Sequence, residues 1–450
     1  MSNIQQRSQW SGRFAFIMAA TGSAVGLGNI WKFPYITGEN GGGAFVLMYL
    51  VCIALVGIPL LMAEIMIGRR GQHNPSRCFS TIADKEKSSK KWGFVGSAGT
   101  LTSFLILTFY SVIGGWTLNY LAKSLMNVFS GQDAASVEAI FGAMLANPLE
   151  MLAWHSVFML SIALVVMRGL SNGIEKAIVI LMPAMLLLIV ALVIYGAFGT
   201  DGFKQSVDFL FSVDVSKING DAFLTALGHS FFTLSLGMSV MVAYGSYMPK
   251  NISIAKASIS IAILDTLVAL MAGLAVFAIV FDNGQSVSAG PGLIFQTLPV
   301  AFAKMSGGFL VSIAFFFLLL FAAWSSAISL LLPAVERLEE SGISLPKSTW
   351  LAAGAAWVIG ILALLSFNDL SDVKLFGLNI FDLLDYLTGK LLLPLVGLFV
   401  AIFAGWTMSY NTTTKELGIR GVDYIAWRVL TRFIAPVLVV IVFLSGLGLV

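Results

Sequence analysis

The sequence predicts an all-α protein that crosses a membrane many times, and three observations lead there. Of its 450 residues 58% are hydrophobic and only 11% are charged, whereas a soluble domain carries about 25% charged residues. A chain so short of ions cannot cover its surface with them, so most of that surface faces something other than water. The apolar residues form runs long enough for a bilayer core of about 30 Å, which takes roughly 20 residues per helix. The runs are unbroken rather than alternating, which excludes transmembrane β-strands. Eleven such runs stand near residues 12–37, 42–68, 92–126, 151–168, 174–198, 222–247, 255–281, 306–335, 347–367, 381–408 and 425–448.

Composition also excludes functions. A net charge of +3, widely dispersed, offers no nucleic-acid surface. Cys52 in an apolar run and Cys78 in a basic loop make no disulfide framework. The three histidines are scattered, and no serine or cysteine has a sequence-evident base, so an enzyme is not expected. The first run is glycine-rich and leads directly into further spans, unlike a removable signal peptide. Basic residues set the orientation. The first inner loop holds Arg69, Arg70, Arg77, Lys85, Lys87, Lys90 and Lys91, while the outer loops hold Lys123, Lys204, Lys217, Lys304 and Lys374. The N-terminus is therefore expected inside and, with eleven spans, the C-terminus outside.

Taken in order, the spans differ in what interrupts them. The first has Gly22, Gly26, Gly28 and Asn29 at its middle and Pro34 beyond. The second carries Glu64 near Arg69 and Arg70, which leaves open an interfacial ion pair or a brace for another helix. The sixth has Thr233, Ser235, Gly237 and Ser239 at its middle, with His229 one turn before Phe232. His229 reads either as a hydrogen-bonded packing residue or as a proton site near the seventh span. That span carries Asp265 with no charged neighbour within eight residues, and an ionisable group at such depth is functional by default. The eighth ends in Glu336, Glu339 and Glu340, expected as a solvated helix end apart from Glu340. In the tenth, Lys390 lies one turn below Asp385 and Tyr386, open to three readings: partner of Asp385, interfacial snorkel or substrate-facing cation. Tyr424 and Trp427 of the eleventh suit a membrane-interface belt. His73 and His155 carry no assigned role.

Small residues in one span could serve helix packing. Two polar, glycine-interrupted spans five helices apart point instead to paired broken helices, the sequence mark of a secondary transporter's binding site. Unwound backbone frees N–H groups for an anion and carbonyls for a cation, so a zwitterion and a sodium ion both fit. A channel needs a continuous polar pore, usually from symmetric subunits, and is the less favoured class.

The strings SAVGLGNIWKFP (23–34), ENGGGAFVLMYL (39–50), GIPLLMAEIMIGRRG (57–71), FFTLSLG (231–237) and FAAWSSAIS (321–329) resemble the neurotransmitter:sodium symporter family, in its bacterial eleven-helix subgroup. The resemblance implies a LeuT-type fold: two inverted five-helix repeats, 1–221 and 222–420, with unwound helices 1 and 6, and an additional helix in 421–450. It implies a sodium-coupled symporter in a bacterial inner membrane, monomeric or a weak dimer. A first sodium site is expected at Ala24, Asn29, Thr233 and Asp265, and a second at Gly22, Val25, Ala322, Ser325 and Ser326. Asp265 is expected to stay anionic and supply the charge that chloride gives chloride-dependent relatives, so chloride is not required.

By the same resemblance, the N–H groups of Leu27 and Gly28 and the Tyr110 hydroxyl take a substrate carboxylate. Carbonyls around Ala24, Phe232, Thr233 and Ser235 take its amino group, and Ile106, Tyr110, Phe232, Ser235, Met238, Ser326 and Leu330 surround its side chain. Gly26 stands where monoamine carriers have an acid, which disfavours amines lacking a carboxylate. Met238 replaces a common aromatic, and its flexible thioether suits an apolar amino acid, aromatic ones included, with taurine or another small zwitterion as the alternative. The outer gate is expected at Lys32, paired with Asp385, with Tyr110 and Phe232 beneath a lid from 283–305. The inner gate is expected at Arg7, Trp10, Ser246, Tyr247 and Glu340. Gly173 and Pro183 match a spacing that lets helix 5 unwind.

Overall fold

The computed structural model describes residues 8–285, 287 and 292–449. Among them the chain is helical, with one isolated β-bridge between Leu375 and Leu378. The helices are α1 (Arg13–Ala24), α2 (Gly28–Glu39), α3 (Gly43–Gly71), α4 (Pro75–Lys85), α5 (Lys90–Leu125), α6 (Ala134–Leu145), α7 (Pro148–Val166), α8 (Leu170–Gly199) and α9 (Phe203–Phe211). They continue as α10 (Gly220–Thr233), α11 (Val240–Ser246), α12 (Ile254–Asp282), α13 (Leu293–Lys304), α14 (Gly308–Glu339), α15 (Leu345–Leu365), α16 (Ile380–Thr407), α17 (Tyr410–Leu417) and α18 (Gly421–Gly446).

Among the described residues, nine helices are long and apolar enough to cross a membrane singly, and the pair α1–α2, bent by 51°, makes a tenth. The expected sixth span, 222–247, is not one helix. It is α10 and α11, neither long enough to cross alone, joined through backbone with positive φ at Ser235 (53°), Gly237 (74°) and Ser239 (58°). Left-handed residues cannot continue a right-handed helix, which is why the apolar run predicted there is interrupted. The expected lid loop is partly the helix α13; residues 286 and 288–291 of it lie outside the described residues.

α1 is the axis of the packing. Every residue from Ala15 to Ala24 is buried, so beyond its first two residues it has no exposed side. Its small residues permit close neighbours: a Cβ at Gly22 would stand 3.0 Å from both Cγ and Sδ of Met182 on α8. α1 packs on α8, α12 and α14, while α14 runs along α5, α8 and α15. α10 and α11 lie against α3, so the two broken helices and their neighbours share one core.

The second break is held by Glu64 on α3. Its Oε1 accepts the Gly237 N–H at 2.7 Å, and the carboxylate is buried. Arg69 and Arg70 turn instead to Glu416 of α17, with Arg69 also donating to the Ile252 and Glu416 carbonyls. Of the two readings of Glu64, the brace is the one built. An orphaned buried N–H costs about 1–3 kcal/mol. Glu64→Ala is therefore expected to lower thermal stability by that order, read by thermal unfolding of the purified protein, while Glu64→Gln retains an acceptor and most of the stability.

Candidate functional site

The two breaks face each other across a small cavity of about 20 Å³. Its walls are Ser23, Ala24, Gly26, Leu27 and Gly28 from the first break, Ile106 and Tyr110 from α5, Phe232, Ser235 and Met238 from the second, and Ser326 and Leu330 from α14. All the expected substrate residues line it except Thr233, which turns its hydroxyl to Asp265. Tyr110 sits at the first break because α5 passes beside it: its hydroxyl accepts the Leu27 N–H at 3.2 Å. That places a neutral oxygen on an N–H that a carboxylate could take.

Beside the cavity, Asp265 of α12 is fully buried. Asn29 Nδ2 donates to its Oδ1 at 2.8 Å and to its carbonyl at 3.1 Å. The Thr233 hydroxyl lies 2.9 Å from Oδ2, and the Tyr49 hydroxyl 3.4 Å from it. Asn29 Oδ1 accepts the Gly26 N–H at 3.0 Å, tying the unwound turn to the first turn of α2. Among the described residues no basic side chain pairs with Asp265, so the carboxylate is solvated only by neutral donors. Such a group in an apolar interior is suited to a cation.

On the other side of α1 lie the oxygens of the second expected cation set. Val25 has an extended backbone (ψ 104°) after α1 ends, which turns its carbonyl off the helix. Ser326 Oγ lies 3.3 Å from that carbonyl and 3.2 Å from the Ser23 carbonyl, and Ser325 Oγ donates to the Ala322 carbonyl at 3.2 Å. Gly22 completes the group on α1, covered by Met182 and Ile178 of α8. α8 stays helical through Pro183, with Gly173 in a π-helical turn, Leu170–Ile174, at its start.

Tyr110 and Phe232 also line a larger vestibule of about 350 Å³ that holds Lys32 and Asp385. These two do not make the expected ion pair among the described residues. Lys32 Nζ instead lies over the Phe232 ring, 5.1 Å from its centroid. An ammonium is a compact point charge without the bidentate fork of a guanidinium, and an aromatic face competes for it. α13 lines the vestibule with Phe295 and Gln296.

Below, Trp10 closes the opposite end. It is 2% exposed; its Nε1 donates to the Tyr244 carbonyl at 3.0 Å and its backbone N–H to the Tyr247 carbonyl at 3.1 Å. Ser246 is buried beside them and donates to Ala243. Glu340 binds the N-terminus of α4, accepting from Asn74 Nδ2 at 2.8 Å and lying 3.3 Å from Arg77. Arg7 lies outside the described residues.

One expectation changes and two open readings narrow. Glu336 is not solvated but 2% exposed. His229 packs against the rings of Phe33 and Tyr49 at 5.9 and 5.6 Å, and neither ring nitrogen has a hydrogen-bond partner among the described residues. Lys390 is exposed and snorkels over Tyr386, 5.6 Å from its ring centroid. Sequence reasoning missed Ser23 and Tyr244. Ser23 Oγ donates to Ser329 at 2.8 Å and its carbonyl accepts from Ser235 at 2.9 Å; its place in the string TGSAVG, between Gly22 and Ala24, was the available signal.

The profile of the Sodium:neurotransmitter symporter family matches residues 7–137 and 144–449. A chain of Bacillus subtilis described as an uncharacterized sodium-dependent transporter, YhdH, is 38% identical over 99% of both chains. One of Haemophilus influenzae, described likewise as a sodium-dependent transporter, is 31% identical over 99% of both. The crystal structure of MhsT in complex with L-phenylalanine superposes with a TM-score of 0.90 and 42% identity, covering 98% of this chain and 100% of that one. It has the LeuT-type fold, so the likeness fixes the fold of this chain as well as its ancestry. With breaks, cavity and matches in agreement, the chain belongs to the sodium:neurotransmitter symporter family: it is a multi-pass membrane protein and a sodium-dependent transporter, not an enzyme.

Proposed function

We propose that this transporter imports a neutral, hydrophobic amino acid together with sodium by alternating access. The observation that carries the reading is Asp265, a buried carboxylate whose side-chain hydrogen-bond partners among the described residues are Asn29, Thr233 and Tyr49, beside the cavity where both broken helices meet. Sodium there is held by Asp265, Thr233, the Ala24 carbonyl and Asn29, whose amide turns to present Oδ1. A second ion takes the carbonyls of Gly22, Val25 and Ala322 with Ser325 and Ser326. Oxygen ligands of this kind suit a hard cation. The fixed charge of Asp265 makes chloride unnecessary.

Substrate carboxylate takes the N–H groups of Leu27 and Gly28 and the Tyr110 hydroxyl. The apolar walls Ile106, Phe232, Met238 and Leu330 favour an apolar side chain, in keeping with the L-phenylalanine bound by MhsT. A cavity of about 20 Å³ is too small for such a guest, so binding must part Phe232 and Met238 from Leu330. A ligand shifts a conformational equilibrium only by its differential affinity. Coupling thus requires sodium and substrate together to stabilise the occluded form.

Tyr110, Phe232, Lys32 and Asp385 serve as the outer gate; Arg7, Trp10, Ser246, Tyr247 and Glu340 serve as the inner one. Helices 1, 2, 6 and 7 (α1–α3 and α10–α12) rock against the rest, and α8 unwinds between Gly173 and Pro183. Residues 1–221 and 222–420 act as inverted repeats, with 421–450 as an accessory helix. The chain works as a monomer or weak dimer in a bacterial inner membrane, N-terminus inside. Uptake by proteoliposomes tests the reading: accumulation of an apolar amino acid is expected only with an inward sodium gradient, with competition by a panel of amino acids and taurine naming the substrate. Accumulation without sodium, or equilibration without concentration, refutes it.

A further inference from the structure

The half of α14 below the cavity carries oxygens that neither cation set nor either gate uses. Ser329 and Glu336 follow Ser325 and Ser326 of the second cation set at helical spacing along one face, and all four are buried. Ser329 is tied to the cavity wall through Ser23. The Tyr244 side chain, fully buried, lies beside Ser329 and Glu336. Trp10 seals the same spot by bonding the Tyr244 carbonyl, its ring 5.3 Å from the Tyr244 ring.

A hard cation leaving Ser325 and Ser326 inward must either cross apolar helix interior or find oxygens in succession. Ser329, Tyr244 and Glu336 supply that succession and end in a negative charge. A buried acid among Leu332, Val335 and Tyr244 is costly to keep and calls for a function.

We infer that Ser329, Tyr244 and Glu336 form the inward exit route for sodium, with Glu336 as a transient ligand once Trp10 moves aside. The inference rests on the proposed sodium role of Ser325 and Ser326. It differs from a latch, in which Glu336 merely holds the gate shut and its loss speeds transport.

The test uses full-length protein carrying Glu336→Gln, Glu336→Asp or Tyr244→Phe. Equilibrium binding of radioactive sodium is measured in nanodiscs, and its influx into proteoliposomes with a mixture of amino acids as co-substrate. Loss of one charge-assisted contact predicts influx about tenfold slower in Glu336→Gln, with binding within about twofold of wild type. Glu336→Asp is expected to recover most of the influx, and Tyr244→Phe to fall between. Unchanged or faster influx in Glu336→Gln overturns the exit route, as does a parallel loss of binding and influx that Glu336→Asp does not relieve. Wild type that neither binds nor moves sodium removes the underlying reading as well.

Discussion

Asp265→Asn is expected to lower sodium-dependent uptake in chloride-free buffer by about 100-fold, the weight of roughly 3 kcal/mol for a charge-assisted contact. The substitution is isosteric, and an asparagine Oδ1 still accepts from Asn29 Nδ2 and from Thr233, now 2.8 and 3.2 Å from the aspartate Oδ1. The fold around the first break is therefore retained, and what disappears is the charge. A sodium ion left with neutral oxygens in an apolar interior binds far more weakly. Chloride, supplied at physiological concentration, is expected to restore part of the uptake by taking over the missing charge. Uptake is compared in chloride and gluconate buffers for both proteins. Undiminished chloride-free uptake by the variant makes Asp265 a neutral packing acid and ends the idea.

The fold was legible where a residue's own chemistry conflicts with its span. Glycines and hydroxyls in the middle of apolar runs marked both breaks, and a lone aspartate marked the cation cluster. What escaped depended on which distant helix a residue meets. Ser23 touches Ser235 and Ser329, more than 200 positions away; since every residue of α1 from Ala15 onward is buried, no periodicity singles out one of its faces. Glu64 had two basic neighbours in sequence, but Glu416, on a helix 346 positions beyond Arg70, engages them. Lys32 and Asp385 are opposite in sign and share the vestibule, yet the Phe232 ring holds the ammonium. Glu336 was read with its acidic neighbours as a helix end, although helical spacing from Ser329 sets it on the buried face. Charge sign and local sequence identify candidates; only packing decides among partners.

Gly26→Ala tests the cavity most directly. No positive φ is required at this position, so the added methyl acts by volume and not by backbone strain. A Cβ there would stand 2.5 Å from Ser326 Oγ, 3.3 Å from Ser326 Cβ and 3.0 Å from the Tyr110 hydroxyl. Rotating the serine relieves the closest contact but pulls its hydroxyl from the Val25 carbonyl, and the nearby Ser326 Cβ cannot follow without moving α14. Tyr110 must meanwhile withdraw from Leu27. One methyl thus disturbs the proposed carboxylate contact and the second sodium site together. Overpacking of this kind costs about 1–3 kcal/mol, so sodium-dependent substrate affinity is expected to fall by about 30-fold, with the loss growing as sodium is lowered. Gly28→Ala provides the comparison: its Cβ meets the edge of the Phe232 ring at 3.0 Å, a side chain that binding itself must displace, so its affinity loss is expected to be smaller and independent of sodium. Equal losses in the two variants, or a Gly26→Ala loss unaffected by sodium, separate the cavity from the second cation set and overturn the shared role of Ser326.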